Sequence, residues 1–270
     1  MTPYERLVDD LAAEQAALDA VLGQMTGAQW DLPSPAPGWS VRDQVTHLAH
    51  VDEIATLAIT TAEAFRAQAS DALAAVDRQA YEACYLARGR AMRPAALRAW
   101  WREASATLIA AARPLDSKAR LPWYGPDMGA SMFVTARLME TWSHGLDVVD
   151  VVRIARPDTD RLRHVVFIGM RTREFSYVNR GLSPNPTPVY VELTAPSGAT
   201  WAHGDASAEN RITGSASDFC RVVTQRRNLA DTDLQVTGSA ARDWMRVAQA
   251  FAGPPGEGRK PGQFPKGRAE

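Results

Sequence analysis

The sequence predicts an α+β chain of two domains: an N-terminal up-down four-helix bundle and a small C-terminal α+β domain. Three observations lead there. Four long segments before residue 155 carry apolar residues at the three-, four- and seven-residue spacings of amphipathic helices. From Pro188 the pattern switches to short stretches of alternating apolar and polar residues, the period of a strand. Two further helical patterns are interleaved with those strands, which makes the second part α+β. The expected boundaries are a bundle over 1–155, a linker helix and small α+β domain over 156–252, and a disordered tail over 253–270, where Gly, Pro and charge dominate.

Composition narrows the class of protein. The chain has 270 residues, with 46% hydrophobic and 23% charged, the proportions of a globular protein with ample core material. A net charge of -1 offers no electrostatic case for nucleic acid or an anionic membrane. Cys84 and Cys220 are the only cysteines, so a disulfide framework and a thiolate zinc site are both excluded. The N-terminus lacks the apolar core of a signal peptide, and no run of about 18 apolar residues occurs. The expectation is a soluble, cytoplasmic protein whose partners are small molecules.

Each element has a local reason. Leu7, Leu11, Leu18, Val21 and Leu22 share one face of a first helix from Thr2 to Met25, with Thr2 as cap and Pro3 in the first turn. Pro33, Pro35 and Pro37, with Trp30 and Trp39, make the next stretch a rigid, packed connection that sets how the following helix begins. That second helix starts at Ser40, an N-cap with Asp43 as its capping-box partner, and runs through Val45, Leu48, Ile54 and Leu57. His47 and His50 ride on it. At roughly 100° per residue, His47 falls about 95° from the centre of the apolar face, at its border, and His50 about 155° from it, towards solvent.

A weaker segment spans Asp71 to Arg90. A third helix runs from Arg93-Pro94 to Ala112, with Trp100 and Trp101 as core residues. After a loop from Pro114 to Asp127, a fourth helix spans Met128 to Val152. Its main apolar stripe is Leu138, Met139, Trp142, Leu146 and Val149. Glu140, His144 and Asp147 lie on the other side, together with Phe133 and Val148, and a helix apolar on both faces tends to be buried between layers. A helix from Asp158 to Asn179 follows. Strands are then expected at Val189–Thr194, Ala199–His203, Asn210–Gly214 and Asp233–Thr237, with helices at Ala216–Arg227 and Ser239–Phe251.

The chemistry-bearing constellation lies on the fourth helix. Glu140 and His144 are four residues apart and stack on one face. A carboxylate beside an imidazole is two thirds of a three-residue catalytic metal site, although the same spacing also occurs on solvated helix faces. His47, from a neighbouring helix, is the candidate third donor, since bundles build metal sites from inward side chains on facing helices. Two imidazoles and one carboxylate suit Zn²⁺ with an open fourth position, and also Fe²⁺ or Ni²⁺. Asp147 reads as a surface carboxylate in preference to a support for one of the donors.

The segment Pro37-Gly38-Trp39-Ser40-Val41-Arg42-Asp43-Gln44-Val45-Thr46-His47-Leu48 resembles the Gly-Trp-Ser/Thr-Val-x-Asp-x-x-x-His-Leu signature of the mycothiol-dependent maleylpyruvate isomerase family, part of the DinB-like group of metal-binding four-helix bundles. Its second motif, Glu-x-x-x-His on the last bundle helix, is similar to Glu140 and His144. The resemblance implies that His47, not His50, is the first metal ligand. It further implies a sterol-carrier-like C-terminal domain, a divalent metal, foremost Zn²⁺, and mycothiol as a cosubstrate. Phe219 to Arg227 resembles the family helix that carries an arginine important for catalysis, which implies a catalytic role for Arg226 and substrate binding by Arg227. The chain departs from the family pattern at Thr224-Gln225, where the family has Trp-Gly. The function implied is that of a metal-dependent enzyme using a small-molecule thiol for isomerisation or transfer on an electrophilic, carboxylate-bearing substrate. Two alternatives stay open: a thiol-independent hydrolase or lyase using metal-activated water, and a non-catalytic metal-containing binding module.

Overall fold

Helix starts in the first part of the chain follow local chemistry. Thr2 accepts from the Glu5 backbone amide while the Glu5 carboxylate accepts from the Thr2 amide, a capping box that opens α1 (Pro3–Leu22). Ser40 and Asp43 repeat the device ahead of α2 (Val41–Thr60). The structure, a computed structural model, describes residues 1–74 and 78–264. These fall into two compact units, one ending at Arg156 and one starting at Pro157.

In the first unit, α3 (Ala62–Ala74) and α4 (Arg78–Arg90) resolve the weak helical segment into two elements that flank α2. Then come α5 (Pro94–Ala112) and, after a loop, α6 (Ala130–Val152). α6 begins two residues later than its apolar pattern suggests. Met128–Gly129 (β2) pairs with Arg120–Leu121 (β1) in a two-residue antiparallel ladder that takes up those backbone groups. The bundle proper is α1, α2, α5 and α6, with α2 and α1 each packed on both α5 and α6. Leu18, Val45, Leu48, Leu97, Trp101 and Val148 form its centre and are almost wholly buried. Each such side chain contributes about 1.5–3 kcal/mol.

Two polar pairs cross the buried seam between α2 and α6. Arg137 donates from Nε and Nη2 to Asp52 Oδ1 at 3.2 and 3.0 Å, and Ser105 Oγ donates to Asp52 Oδ2 at 3.1 Å. Further along, Gln44 on α2 meets His144 on α6. Advancing along α2 from Gln44 to Asp52 means retreating along α6 from His144 to Arg137. The two helices are therefore antiparallel, in a register set by polar contacts as well as by packing.

The second unit starts with α7 (Leu162–Arg171) and α8 (Arg173–Val178) in place of one continuous helix. The break falls at Thr172, whose Oγ1 donates back to the Ile168 carbonyl at 2.9 Å, a contact that bends helices. A four-stranded sheet follows, from β3 (Val189–Thr194), β4 (Thr200–His203), β5 (Asn210–Ser215) and β6 (Gln235–Thr237), in the order β4-β3-β5-β6. β3 and β5 are parallel; the other pairs are antiparallel. The β4–β5 loop must step across the start of β3. It does so at Gly204, where φ is +89° and an added Cβ would lie 2.9 Å from the Val189 carbonyl oxygen.

Two helices cover the sheet. α9 (Ala216–Val223) is capped by Ser215 Oγ, and α10 (Ser239–Val247) by the Asn210 side chain, which accepts from the Ala240 amide. Phe219 and Trp244 meet edge to face between them. Both helices are shorter than their sequence patterns. α9 stops four residues before Arg227 because Gln225 turns into the left-handed region, φ 60°, and the Arg226 and Arg227 amides both return to the Arg221 carbonyl. α10 stops at Val247 because Ala248 is extended and the Ala250 amide goes to the Val223 carbonyl.

The tail expected to be disordered is instead held as far as Phe264. Arg180 Nη2 donates to the Gly256 carbonyl, Asn228 Nδ2 donates to that of Arg259, and the Phe264 ring is buried under the Arg227 guanidinium. Residues 265–270 of that tail lie outside the described residues. No helix among the described residues is long and apolar enough to cross a membrane.

Two stability predictions follow from these contacts. Arg137→Ala strands the Asp52 carboxylate in the core and should cost about 3–5 kcal/mol in urea unfolding at neutral pH. Burial already raises the Asp52 pKa, so the folded state binds this proton more readily than the unfolded one, and the deficit should shrink as the pH falls. At Gln225, the side chain donates to the Ala248 carbonyl at 3.1 Å while the backbone bears left-handed strain. Gln225→Ala loses the bond and keeps the strain. Gln225→Gly loses the bond and relieves the strain, and should be the more stable of the two by about 1 kcal/mol.

Candidate metal centre

The helical phase that puts His47 at the border of the apolar face of α2 points it at α6. There it meets Glu140 and His144: one donor atom from each of the three lies within 4.8 Å of the others. Glu140 Oε2 is 3.0 Å from His144 Nε2 and 4.0 Å from His47 Nε2. The two imidazole centroids are 4.6 Å apart. Two donors bound at about 2.1 Å to one tetrahedral ion stand about 3.4 Å apart, so the observed separations bracket what such an ion needs.

The outer nitrogens of both rings are engaged, which leaves the inner ones facing Glu140. Gln44, fully buried, accepts from His144 Nδ1 at 2.6 Å through its Oε1. Its own Nε2 donates to Ser34 Oγ at 2.8 Å. With Gln44 Oε1 accepting at Nδ1, the tautomer with its lone pair on Nε2 is the one open to a cation. His47 Nδ1 lies 3.1 Å from the Tyr85 hydroxyl. Such partners orient metal-binding imidazoles and set their tautomer.

Electrostatics favour an ionised Glu140 and a neutral His47. Burial would raise the Glu140 pKa, but the hydrogen bond from His144 and the charges of His144, Arg137 and His47 outweigh it and bring it down to about 2. Burial is the main reason the His47 pKa lies well below its usual value, with His144 adding to it. An ionised carboxylate and a neutral imidazole are the forms that bind a divalent cation.

Three features of the site differ from the sequence reading or extend it. Asp147, taken there as a surface carboxylate, is buried to 1% exposure, because that side of α6 faces the bundle. His50 is not free in solvent: its Nε2 sits 3.3 Å from the Tyr81 hydroxyl and its ring stacks on Tyr85 at 4.4 Å. Trp39, in the proline-rich connection, lies over both candidate histidines, with ring centroids 5.3 Å from His47 and 6.0 Å from His144. Its indole Nε1 donates to Glu82 on α4. In the sequence Trp39 reads only as part of the rigid connection and Gln44 only as part of a motif. Their spacing of three before His47 for Gln44, on the same helix, is the one local hint.

Arg226 and Arg227 belong to the second unit, the three donors to the first. Arg226 is partly exposed and donates from Nη1 to the Thr224 carbonyl at 2.9 Å. Arg227 is buried, with its guanidinium 4.3 Å from the Phe264 ring. Of the two, Arg226 is the one with surface left to offer a ligand.

Comparisons with known proteins bear on this arrangement. Residues 11–149 match the family model described as the mycothiol maleylpyruvate isomerase N-terminal domain. Two proteins of Mycobacterium tuberculosis, from strains CDC 1551 / Oshkosh and ATCC 25618 / H37Rv, are each 43% identical over 256 residues, spanning 93% of this chain and 97% of theirs; both are described only as uncharacterized proteins. Crystal structures of the mycothiol-dependent maleylpyruvate isomerase and of a histidine-to-alanine mutant of that enzyme share the fold. Each has a TM-score of 0.58 at 18% identity and covers 89% of this chain and 94% of its own. The family model spans more than half of the sequence and takes in all three candidate donors, and the chain belongs to the mycothiol maleylpyruvate isomerase N-terminal domain family.

Proposed function

We propose that this protein is a metal-dependent enzyme that uses a small-molecule thiol of the mycothiol type for isomerisation or transfer on a small, electrophilic, carboxylate-bearing substrate. The observation that carries the metal is the meeting of His47, Glu140 and His144, with both inner imidazole nitrogens turned to one ionised carboxylate. The thiol and the substrate class rest on the family match and on the name of the structurally similar enzyme.

The three side chains would hold a divalent ion, with Zn²⁺ the first choice for two nitrogens and one oxygen and Fe²⁺ or Ni²⁺ compatible with the same set. When bound, such an ion supplies an open coordination position and lowers the pKa of a thiol that takes it. The chain's own residues do the rest. Gln44 holds the His144 imidazole by accepting at Nδ1, which leaves Nε2 to the metal. Trp39 lies over the two rings. Arg226, by the family resemblance, pairs with a substrate carboxylate, for which a planar guanidinium is suited, and Arg227 supports it.

Metal analysis and a thiol-dependence assay test this reading. The purified protein should carry about one divalent ion per chain. His47→Ala, Glu140→Ala and His144→Ala should each weaken retention by more than the 10- to 100-fold typical of losing an outer partner. Turnover of maleylpyruvate should require mycothiol or another small thiol. Arg226→Ala should lower kcat/KM about 10- to 100-fold, the worth of one charge-assisted hydrogen bond, with Arg227→Ala lowering it less. Equal rates with and without thiol would point to water as the nucleophile. Full activity in the metal-stripped protein would overturn the reading.

A further inference from the structure

α4 contributes none of the three donors, yet its inward face grips the candidate centre. The Tyr85 hydroxyl is 3.1 Å from His47 Nδ1, and the Tyr85 ring stacks on His50 at 4.4 Å and 11°. One turn earlier Glu82 accepts from the indole of Trp39, which overlies His144. The helix has little freedom to shift. Gly89 packs so closely on α2 that an added Cβ would lie 1.8 Å from Thr46 Oγ1, next to His47 in sequence. On either side, Arg88 pairs with Glu53 and Arg90 with Asp43, both on α2.

The two histidines are thus held by different means. His144 on α6 is fixed by Gln44, a fully buried amide that is itself tied to Ser34. His47 has no such partner on α6 or in the proline-rich connection among the hydrogen bonds observed. Its outer nitrogen meets a phenol delivered by α4. An imidazole that binds a cation through Nε2 must carry its proton on Nδ1, and that proton needs an acceptor in the right place.

We propose that Tyr85 is a positioning residue for the metal donor His47: its oxygen accepts the Nδ1 proton and holds the ring with Nε2 turned to Glu140. The proposal rests on the metal reading above. It adds that α4, which the family's two metal motifs do not include, is part of the centre.

Tyr85→Phe is the informative variant. It keeps the ring that stacks on His50 and removes only the hydroxyl, so folding should be unaffected, as checked by circular dichroism and urea unfolding. Tyr81→Phe is the control, since that hydroxyl meets His50, which is not a proposed donor. Cobalt(II) is titrated into metal-stripped wild type and both variants in competition with a chelator, and the visible absorption of each loaded protein is recorded. Wild type and Tyr81→Phe should bind alike with the same spectrum. Tyr85→Phe should bind about 10- to 100-fold more weakly with altered bands, the usual loss for an outer-shell partner. Unchanged affinity and spectrum in Tyr85→Phe would overturn the proposal while leaving the metal reading intact, and so would equal losses in both variants. No cobalt binding by wild type would overturn the metal reading itself, and this proposal with it.

Discussion

The candidate centre depends on one constraint, the register of α2 against α6. Two helices that touch only through apolar side chains can slide by a turn at modest cost, because Leu and Val surfaces are interchangeable. Here two polar pairs cross the seam, Gln44 with His144 and Asp52 with Arg137. They sit on either side of His47 on α2, and on either side of Glu140 on α6. Any slip of one turn would break both and leave a carboxylate and a guanidinium buried without each other. With the register held, His47 stands opposite Glu140.

Buried ion pairs of this kind are weak evidence for stability, since removing two charges from water is expensive. Their use is in specifying one arrangement among several. Asp52 and Arg137 show this in two ways. Ser105 on α5 joins the pair, so a third helix is tied to the same point. The Arg137 charge also lies close enough to favour the ionised form of Glu140 and the neutral form of His47. A contact that fixes the helices thereby also adds to the bias of Glu140 towards its ionised form and of His47 towards its neutral one.

Much of this was legible in the sequence because it is encoded locally. The four-residue spacing of Glu140 and His144, the border phase of His47, and the capping boxes of α1 and α2 are all properties of one helix read alone. What escaped was encoded between elements. Tyr85 and Trp39 become neighbours of the imidazoles only when α4 and the proline-rich connection fold onto α2. Asp147 looked polar and therefore exposed, but its neighbours on α6 decide its burial. The ends of α9 and α10 were overrun for a related reason. Gln225 adopts a left-handed conformation with no glycine to announce it, and the chain leaves α10 at Ala248 so that the Ala250 amide reaches the Val223 carbonyl. The tail reads as disordered by composition, yet backbone carbonyls at Gly256 and Arg259 find donors on the second unit.

The chain's place in its family and the convergence of three donors lead to one physical question, whether a single ion is held by two imidazoles and one carboxylate. Zinc K-edge X-ray absorption on the thiol-free, zinc-loaded protein answers it most directly. A first shell of nitrogen and oxygen at about 2.0–2.2 Å, with the outer-shell scattering of two imidazoles, is the result predicted. Loss of one imidazole in His47→Ala and of one in His144→Ala would complete it. A shell of oxygen alone, or one in which neither substitution changes the imidazole scattering, would contradict it.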